Sequence, residues 1–345
     1  MIDAPDIQYG DIIGHDRVVR LLKNAVATER VAHAYLFAGS QGVGKTKTAY
    51  AFAATLLCKT GGDEACGQCI SCKKVVDANH PDLSELKPEE KTNGVIKVKP
   101  MREFIRNTHF HPFESDWKIF IIHESEKMNK ESANTLLKTL EEPTKNTVII
   151  LLTNRPQQLL PTILSRCQKI VFGLLETSTV AKIVSEKRGL SEKDADLVAR
   201  LAEGSVGRAM HMDLEYSTKD LPNFGQEFFS LRFGRDRKLF EFADAIGAWP
   251  SGPLEALEIV MSLLADAVRI AAGIDADRLT YPDLREQAAD FAGSYSSRAL
   301  AAKIRTVIYA QRLIERNANK RLTAEAMLMD ILTPRVTRFS ERLPR

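Results

Sequence analysis

The residues Gly39-Ser40-Gln41-Gly42-Val43-Gly44-Lys45-Thr46 have the types and spacing of a phosphate-binding loop. Glycines let backbone N–H groups turn toward phosphate oxygens, the lysine reaches the outer phosphates, and the threonine hydroxyl can hold Mg²⁺. Gly39, Gly42, Gly44, Lys45 and Thr46 are therefore the candidate nucleotide-binding residues, with ATP and Mg²⁺ as the candidate ligands. The context supports the motif. Ala34-Tyr35-Leu36-Phe37-Ala38 reads as a buried strand and Lys47–Leu57 as a helix, so the glycines fall between strand and helix as this chemistry requires. The competing reading is a loop that keeps its shape after losing its ligand.

Hydrolysis on such a scaffold needs an acidic residue at the end of a neighbouring strand to help hold Mg²⁺, and a second carboxylate to position water. Here the strand Lys118–Ile122 runs into His123-Glu124-Ser125-Glu126. Glu124 keeps the water-positioning place in this degenerate acidic motif, while His123 stands where the metal-holding Asp is expected. Mg²⁺ prefers hard oxygen ligands, so an imidazole is a poor replacement and weak or absent turnover is expected. The alternative is that Thr46, nucleotide and water hold the metal without help. Asn154, after the strand Thr147–Leu152, either orients a γ-phosphate or caps the strand. Arg166, in Leu164-Ser165-Arg166-Cys167-Gln168, either stabilises charge on a transferring phosphoryl group or sits in an ordinary surface ion pair.

Cysteine is spent unevenly, with Cys58, Cys66, Cys69 and Cys72 close together and Cys167 alone. Overlapping Cys-x2-Cys steps, with Gly67 permitting the turn between them, place thiolates at tetrahedral reach. Such a set suits a structural Zn²⁺ with no open position for a catalytic water, pinning the loop Lys59–Lys73. A redox dithiol or ordinary free thiols are the competing readings.

The elements that must position these groups alternate apolar runs with helix-like stretches, which predicts a parallel sheet covered by helices. A leading helix is expected over Asp11–Val26, a short strand at Val95–Val98 before an amphipathic stretch at Pro100–Thr108, and a helix over Asn129–Leu140. Turns are expected at His80-Pro81-Asp82 and Lys87-Pro88-Glu89-Glu90. Beyond Phe172 strand signals fade, and Thr179–Arg188, Ser191–Ala202 and Ser205–Leu214 read as a small helical lid. Longer helices follow, notably Pro253–Ala272 and Ser297–Asn317. A chain of 345 residues with 44% hydrophobic side chains has material for two or three domains. No apolar run is long enough to span a membrane and the start has no basic-then-apolar pattern, so a cytoplasmic location is expected. A net charge of +3 neither announces nor excludes a nucleic-acid partner.

Taken together, these motifs resemble the bacterial clamp-loader AAA+ family. The resemblance rests on Asp11-Ile12-Ile13-Gly14, His33-Ala34-Tyr35-Leu36-Phe37, the phosphate loop, the cysteine insert, Ala133–Pro143 and Ser165-Arg166-Cys167 in that order. It implies an α/β P-loop AAA+ domain over 1–173 with a zinc module at about 58–73, a helical lid over 174–213, and an all-α collar domain over 214–345. It further implies that Arg166 acts in trans on a neighbour's ATP site, that Asn154 is the sensor beside the third phosphate, and that the four clustered cysteines are zinc ligands. The partners implied are gamma/tau motor subunits and a delta subunit, with the sliding clamp and primed DNA reached through the complex. Motor members of the family carry a lid arginine after Gly-Ser-x, but here Gly204-Ser205-Val206 is followed by Gly207, with Arg208 one place later. A helix rotates about 100° per residue, so Arg208 should point away from that sensor's site. With His123, this favours a delta-prime-like stator of the replicative DNA polymerase III holoenzyme over a gamma/tau-like ATPase. A different AAA+ DNA-processing protein is the remaining alternative. Lys127, Lys130 and Lys138 lie on or near a helix suited to DNA phosphates, or form an ordinary solvated face.

Overall fold

A computed structural model describes residues 7–89, 94–212, 214–234, 236–250, 252–275 and 279–333. The chain divides into two compact units, Met1–His211 and Met212–Arg345. The first unit begins with α1 (Asp16–Ala27), β1 (Ala34–Ala38), α2 (Lys45–Leu57), α3 (Ile70–Val76), β2 (Leu83–Leu86) and α4 (Val98–Arg106). It continues with β3 (Lys118–Ile122), α5 (Lys130–Glu141), β4 (Thr147–Thr153), α6 (Pro161–Leu164) and β5 (Gln168–Val171). Three lid helices close it: α7 (Thr177–Arg188), α8 (Glu192–Leu201) and α9 (Val206–His211).

Every residue of β1, β3 and β4 is buried, as expected of strands covered on both faces. The sheet runs β2-β3-β4-β1-β5 and every pairing is parallel. Alternation along β1 sends Tyr35 and Phe37 to one face, where they meet Phe52 and Leu57 of α2. Leu36 joins Met101, Phe104, Phe120 and Leu136 on the other face. Each such side chain, fully buried, contributes about 1.5–3 kcal/mol. Local chemistry fixes the helix ends. The Asn129 side chain accepts from Ser132 N at 2.8 Å to start α5, Ser191 accepts from Asp194 N at 3.2 Å to start α8, and Gly189 ends α7 at φ 65°.

The edges of the sheet depart from the sequence reading. β2 and β5 flank the expected central strands, yet β2 is half-buried throughout and only Ile170 of β5 is buried. Edge strands of this kind carry too little apolar pattern to stand out. The leading helix starts at Asp16 rather than Asp11, because Tyr9–Asp11 forms a 3-10 turn and Gly14 takes φ 78°. Instead of a strand at Val95–Val98 there is one isolated bridge, Ile96 to Met128, and α4 begins at Val98. Of the turn expected at 87–90, Glu90 lies outside the described residues.

The second unit is helical throughout its described residues: α10 (Leu214–Ser230), α11 (Asp236–Gly247), α12 (Pro253–Ala271), α13 (Arg285–Gly293), α14 (Ser297–Glu315) and α15 (Lys320–Leu332). Its core joins Leu257, Val260 and Leu264 of α12 to Val307 of α14 and Met327 and Ile331 of α15. Lys303 is buried there, donating to the Thr333 carbonyl at 3.0 Å with its ammonium 4.0 Å from the Tyr295 ring centroid. Burial lowers its pKa to about 8, and Asp330 pulls it the other way. No described helix is long and apolar enough to cross a membrane.

Candidate functional site

Strand register brings the candidate residues to one edge of the sheet. Ala38 of β1 pairs with Thr153 of β4, so Gly39 and Asn154 leave the sheet side by side, and Gly39 N donates to Thr153 O at 3.2 Å. Leu86 of β2 pairs with Ile122 of β3, which sets Lys87 beside His123, and His123 N donates to Leu86 O at 2.9 Å. The C-terminal strand ends thus enclose a cleft of about 540 Å³ lined by Gly42, Lys45, Thr46, Lys87, His123 and Asn154, among others. This is where open parallel sheets take their ligands.

Lys45 is buried, with Nζ donating to Gly39 O at 2.6 Å, Ser40 O at 2.6 Å and Asn154 Oδ1 at 2.7 Å. Burial lowers its pKa to about 8, with the Glu126 carboxylate acting in the opposite direction. Gly44 opens α2 at φ 106° and Thr46 is exposed to the cleft. Glu126 was passed over in the sequence reading. Its Oε1 accepts from Asn154 N at 3.3 Å, while its buried Oε2 has no hydrogen-bond partner. The only signal was its place in the acidic run after β3.

His123 donates nothing to the cleft as a hard ligand would. Its Nε2 lies 2.9 Å from Glu85 Oε2, which Lys87 Nζ also reaches at 2.7 Å, and Tyr50 OH donates to Glu85 Oε1. Burial alone would raise the Glu85 carboxyl, but the His123, Lys87 and Tyr50 donors outweigh it and hold the group down at about 2. Both of its oxygens are therefore spent. Glu124 lines the cleft in a left-handed conformation at φ 45° and pairs with Lys127 at 2.6 Å. An octahedral Mg²⁺ finds Thr46 here and, of the carboxylates, only Glu124 on the cleft wall, with an imidazole directly after β3, so the donor set fits it poorly. The group of Tyr50, Glu85, Lys87 and His123 escaped the sequence reading because its members come from three separate segments, α2, the end of β2 and the end of β3.

The lid rests on the phosphate loop through backbone. Gly207 N donates to Gly42 O at 2.8 Å and Ser205 Oγ to Gln41 O at 2.8 Å. A Cβ on Gly207 would stand 2.7 Å from Gly42 Cα, so only glycine permits this approach.

Away from the cleft, the Sγ atoms of Cys58, Cys66, Cys69 and Cys72 all lie within 4.8 Å of one another. The Cys58–Cys69 and Cys66–Cys72 separations are 4.0 and 3.9 Å, near the ~3.8 Å between sulfurs set tetrahedrally at Zn–S bond length. Cys58 caps the end of α2, Cys69 caps the start of α3, and Cys72 lies within α3. Backbone N–H groups of Cys66, Cys69 and Cys72 donate to Cys58, Cys66 and Cys69 sulfurs at 3.5, 3.3 and 3.4 Å. These surroundings favour the thiolates of Cys58 and Cys66 while burial acts against that of Cys72, and the four sulfurs together can hold a metal ion. Cys167 stands apart, its thiol pushed up to about 12 by burial. Arg166, just past α6, reaches Glu141 at 2.8 Å and the Thr162 carbonyl at 3.0 Å, and 35% of its side chain is exposed.

Known proteins resemble both units. A family model described as "DNA polymerase III, delta subunit" matches residues 14–176, and one described as "DNA polymerase III, delta subunit, C terminal" matches residues 222–333. The delta' subunit of DNA polymerase III from Bacillus subtilis (strain 168) is 29% identical over 88% of this chain and 92% of its own length. The chain is thus a homologue of DNA polymerase III delta and delta prime clamp-loader subunits. Relatedness extends to tau and gamma subunits of DNA polymerase III. The tau subunit from Escherichia coli (strain K12) is 35% identical over 59% of this chain, which spans 32% of tau's length. Among solved structures, a DNA polymerase III gamma-subunit-related protein from Thermotoga maritima aligns with 92% of this chain and 98% of its own, at 18% identity and TM-score 0.44. Within the first of these family models fall the phosphate loop, the cysteine cluster and Arg166, and the C-terminal model covers α11 to α15.

Proposed function

We propose that this chain is the stator of a clamp loader: it supplies Arg166 in trans to the ATP site of a neighbouring gamma/tau motor subunit and turns over little or no ATP itself. The observation that carries the reading is the contrast between the two ends of the first unit. At the cleft, His123 is tied to Glu85 and stands where a carboxylate would hold Mg²⁺, leaving on the wall only Glu124, itself paired with Lys127. Past α6, the Arg166 guanidinium is accessible and held by a surface pair with Glu141 and by the local Thr162 carbonyl and Ser165 hydroxyl. Such a pair is worth about 0–1 kcal/mol, so a phosphate arriving from a partner displaces it readily.

In this reading the segments 1–173 and 174–213 form an ATPase-like module and 214–345 joins the collar of the assembly, alongside a delta subunit. The complex loads the sliding clamp on primed DNA. The four clustered thiols hold Zn²⁺, for which a closed tetrahedral sulfur set is the preferred environment. Gly39, Gly42, Gly44, Lys45, Thr46 and Asn154 bind nucleotide, since the loop is already folded with Lys45 at its centre. That intact loop favours a second reading, an active gamma/tau-like ATPase using Lys45, Thr46 and Glu124.

The test is reconstitution with motor and delta subunits, clamp and primed DNA, comparing turnover with the parent chain and Arg166→Ala after equal assembly is verified. A loss of about 10³–10⁵-fold at one ATP site is the size expected for an arginine finger. Unchanged turnover in an intact complex sinks the assignment. Turnover by the isolated chain that disappears in Lys45→Ala establishes the second reading.

A further inference from the structure

We infer that the cleft takes a nucleoside triphosphate without a divalent cation, the Lys87 ammonium serving the phosphates where a metal serves other phosphate loops. This rests on the nucleotide-binding reading of Lys45 and its loop, and adds to it the ionic form of the ligand. Three observations carry it. First, the cleft is poor in hard oxygens for a metal. His123 occupies the end of β3, Glu85 has both carboxylate oxygens committed to Tyr50, His123 and Lys87, and Glu126, whose Oε2 is unpartnered, is not among the cleft-lining residues, which leaves Glu124, drawn toward Lys127, as the one carboxylate on the described wall.

Second, cations line the same cleft: Lys45, Lys47 and Lys87 all contribute to its wall. A triphosphate stripped of metal carries more negative charge and is the better match for such a wall. Third, Lys87 is held ready. The register of β2 on β3 places it beside His123, its Nζ is fixed on Glu85 at 2.7 Å, and half of its side chain remains exposed. When a phosphate oxygen accepts from Lys87, Glu85 keeps its Tyr50 and His123 donors and is left paired. The imidazole at 123 thus organises a lysine in the place of a metal.

The test is a titration of the full chain with a fluorescent ATP analogue in buffer freed of divalent cations by a chelating resin, and again with Mg²⁺ in excess. Zinc content is measured in both buffers, so that loss of the cysteine-bound metal is not mistaken for an effect on the cleft. The expected result is an affinity that differs by no more than about threefold between the two buffers. Lys87→Ala is expected to lose about tenfold without Mg²⁺, the size of one charge-assisted hydrogen bond. His123→Asp is expected to become metal-responsive, gaining about tenfold on addition of Mg²⁺, as a carboxylate returns beside Thr46. Melting temperatures of both variants verify folding. A parent protein that gains tenfold or more from Mg²⁺ overturns the inference while leaving nucleotide binding intact, and so does a folded Lys87→Ala with parental affinity. Absence of binding in both buffers overturns this inference and the nucleotide-binding reading together, but leaves the Arg166 assignment to its own turnover assay.

Discussion

Replacing Gly207 by alanine sets two well-understood effects against each other. In a helix alanine is favoured over glycine by about 0.5–1 kcal/mol, so propensity alone predicts a more stable protein. Geometry predicts the reverse. The added Cβ would stand 2.7 Å from Gly42 Cα and 3.2 Å from Gly42 O, where carbon atoms rest at about 3.5–4.0 Å. Both partners are backbone, one in the phosphate loop and one in α9, so neither can swing aside as a side chain would. The lid must retreat by roughly 1 Å, at an overpacking cost of about 1–3 kcal/mol. Retreat also stretches the Gly207–Gly42 and Ser205–Gln41 hydrogen bonds, both 2.8 Å, each worth about 0.5–1.5 kcal/mol. The sum favours destabilisation by about 3 kcal/mol, which for a unit of this size lowers Tm by about 6–12 °C if it unfolds as one. Calorimetry measures the shift, and hydrogen exchange at residues 205–209 shows whether the lid is what loosens. Gly173→Ala is the control, because nothing lies within 4 Å of a Cβ there. A Gly207→Ala protein that melts at or above the parental temperature, with unchanged exchange, refutes the backbone contact.

Acid should find the Glu85 cluster. Its carboxyl lies at about 2 in the folded protein against 4.5 when free, so its stabilisation is complete above pH 4.5 and drains away as pH falls toward 2. By linkage this amounts to about 3 kcal/mol, seen as a stability gap between parent and Glu85→Gln that closes in that window; a gap independent of pH contradicts it. Phosphate affinity should be greatest below pH 8. Lys45 has a pKa of about 8 in the free protein, and a bound anion favours its protonated form, so affinity drops by up to about tenfold per pH unit above that value. A flat profile from neutral pH upward would show that the lysine does not face the phosphates. Atomic emission should find one zinc per chain, lost in Cys69→Ser and kept in Cys167→Ser, whose sulfur lies outside the cluster. Removing the metal should lower Tm and expose the loop between α2 and α3 to protease, and equal zinc in both variants would exclude these ligands.

What was legible in the sequence was whatever a single segment could express. The central strands β1, β3 and β4 are apolar at nearly every position, and the phosphate loop and cysteine cluster each sit on one short stretch. The edges were not legible, since β2 reads Leu-Ser-Glu-Leu and β5 Gln-Lys-Ile-Val, patterns that mean little without the neighbouring strand that turns one face inward. The same reason hid the chemistry around His123. A histidine in an acidic position could be seen as a deficit, but its partner Glu85 comes from β2, and Tyr50 from α2. Only the register of β2 on β3 turns three unrelated residues into one cluster. The meaning of Gly207 was half visible: a missing arginine could be read, but not that its successor's backbone bonds to Gly42.

An intact phosphate loop is weaker evidence for turnover than it looks, and the reason is mechanical. Lys45 Nζ ties the carbonyls of Gly39 and Ser40, at the end of β1, to the Asn154 side chain at the end of β4. Removing the amine leaves those acceptors without their donor, at about 1–3 kcal/mol for a buried group, so the residue serves the fold whether or not nucleotide is present. Lys45→Ala therefore mixes lost structure with lost binding, and a drop in any activity it causes does not identify a catalytic lysine. The deficit in hydrolysis that we propose lies elsewhere, at the end of β3, and touches neither the loop nor Arg166. A substitution that restores a carboxylate at position 123 asks the cleaner question. It changes what the cleft offers a metal, leaves the Lys45 bonds in place, and separates the protein's own site from the arginine that we propose acts on another.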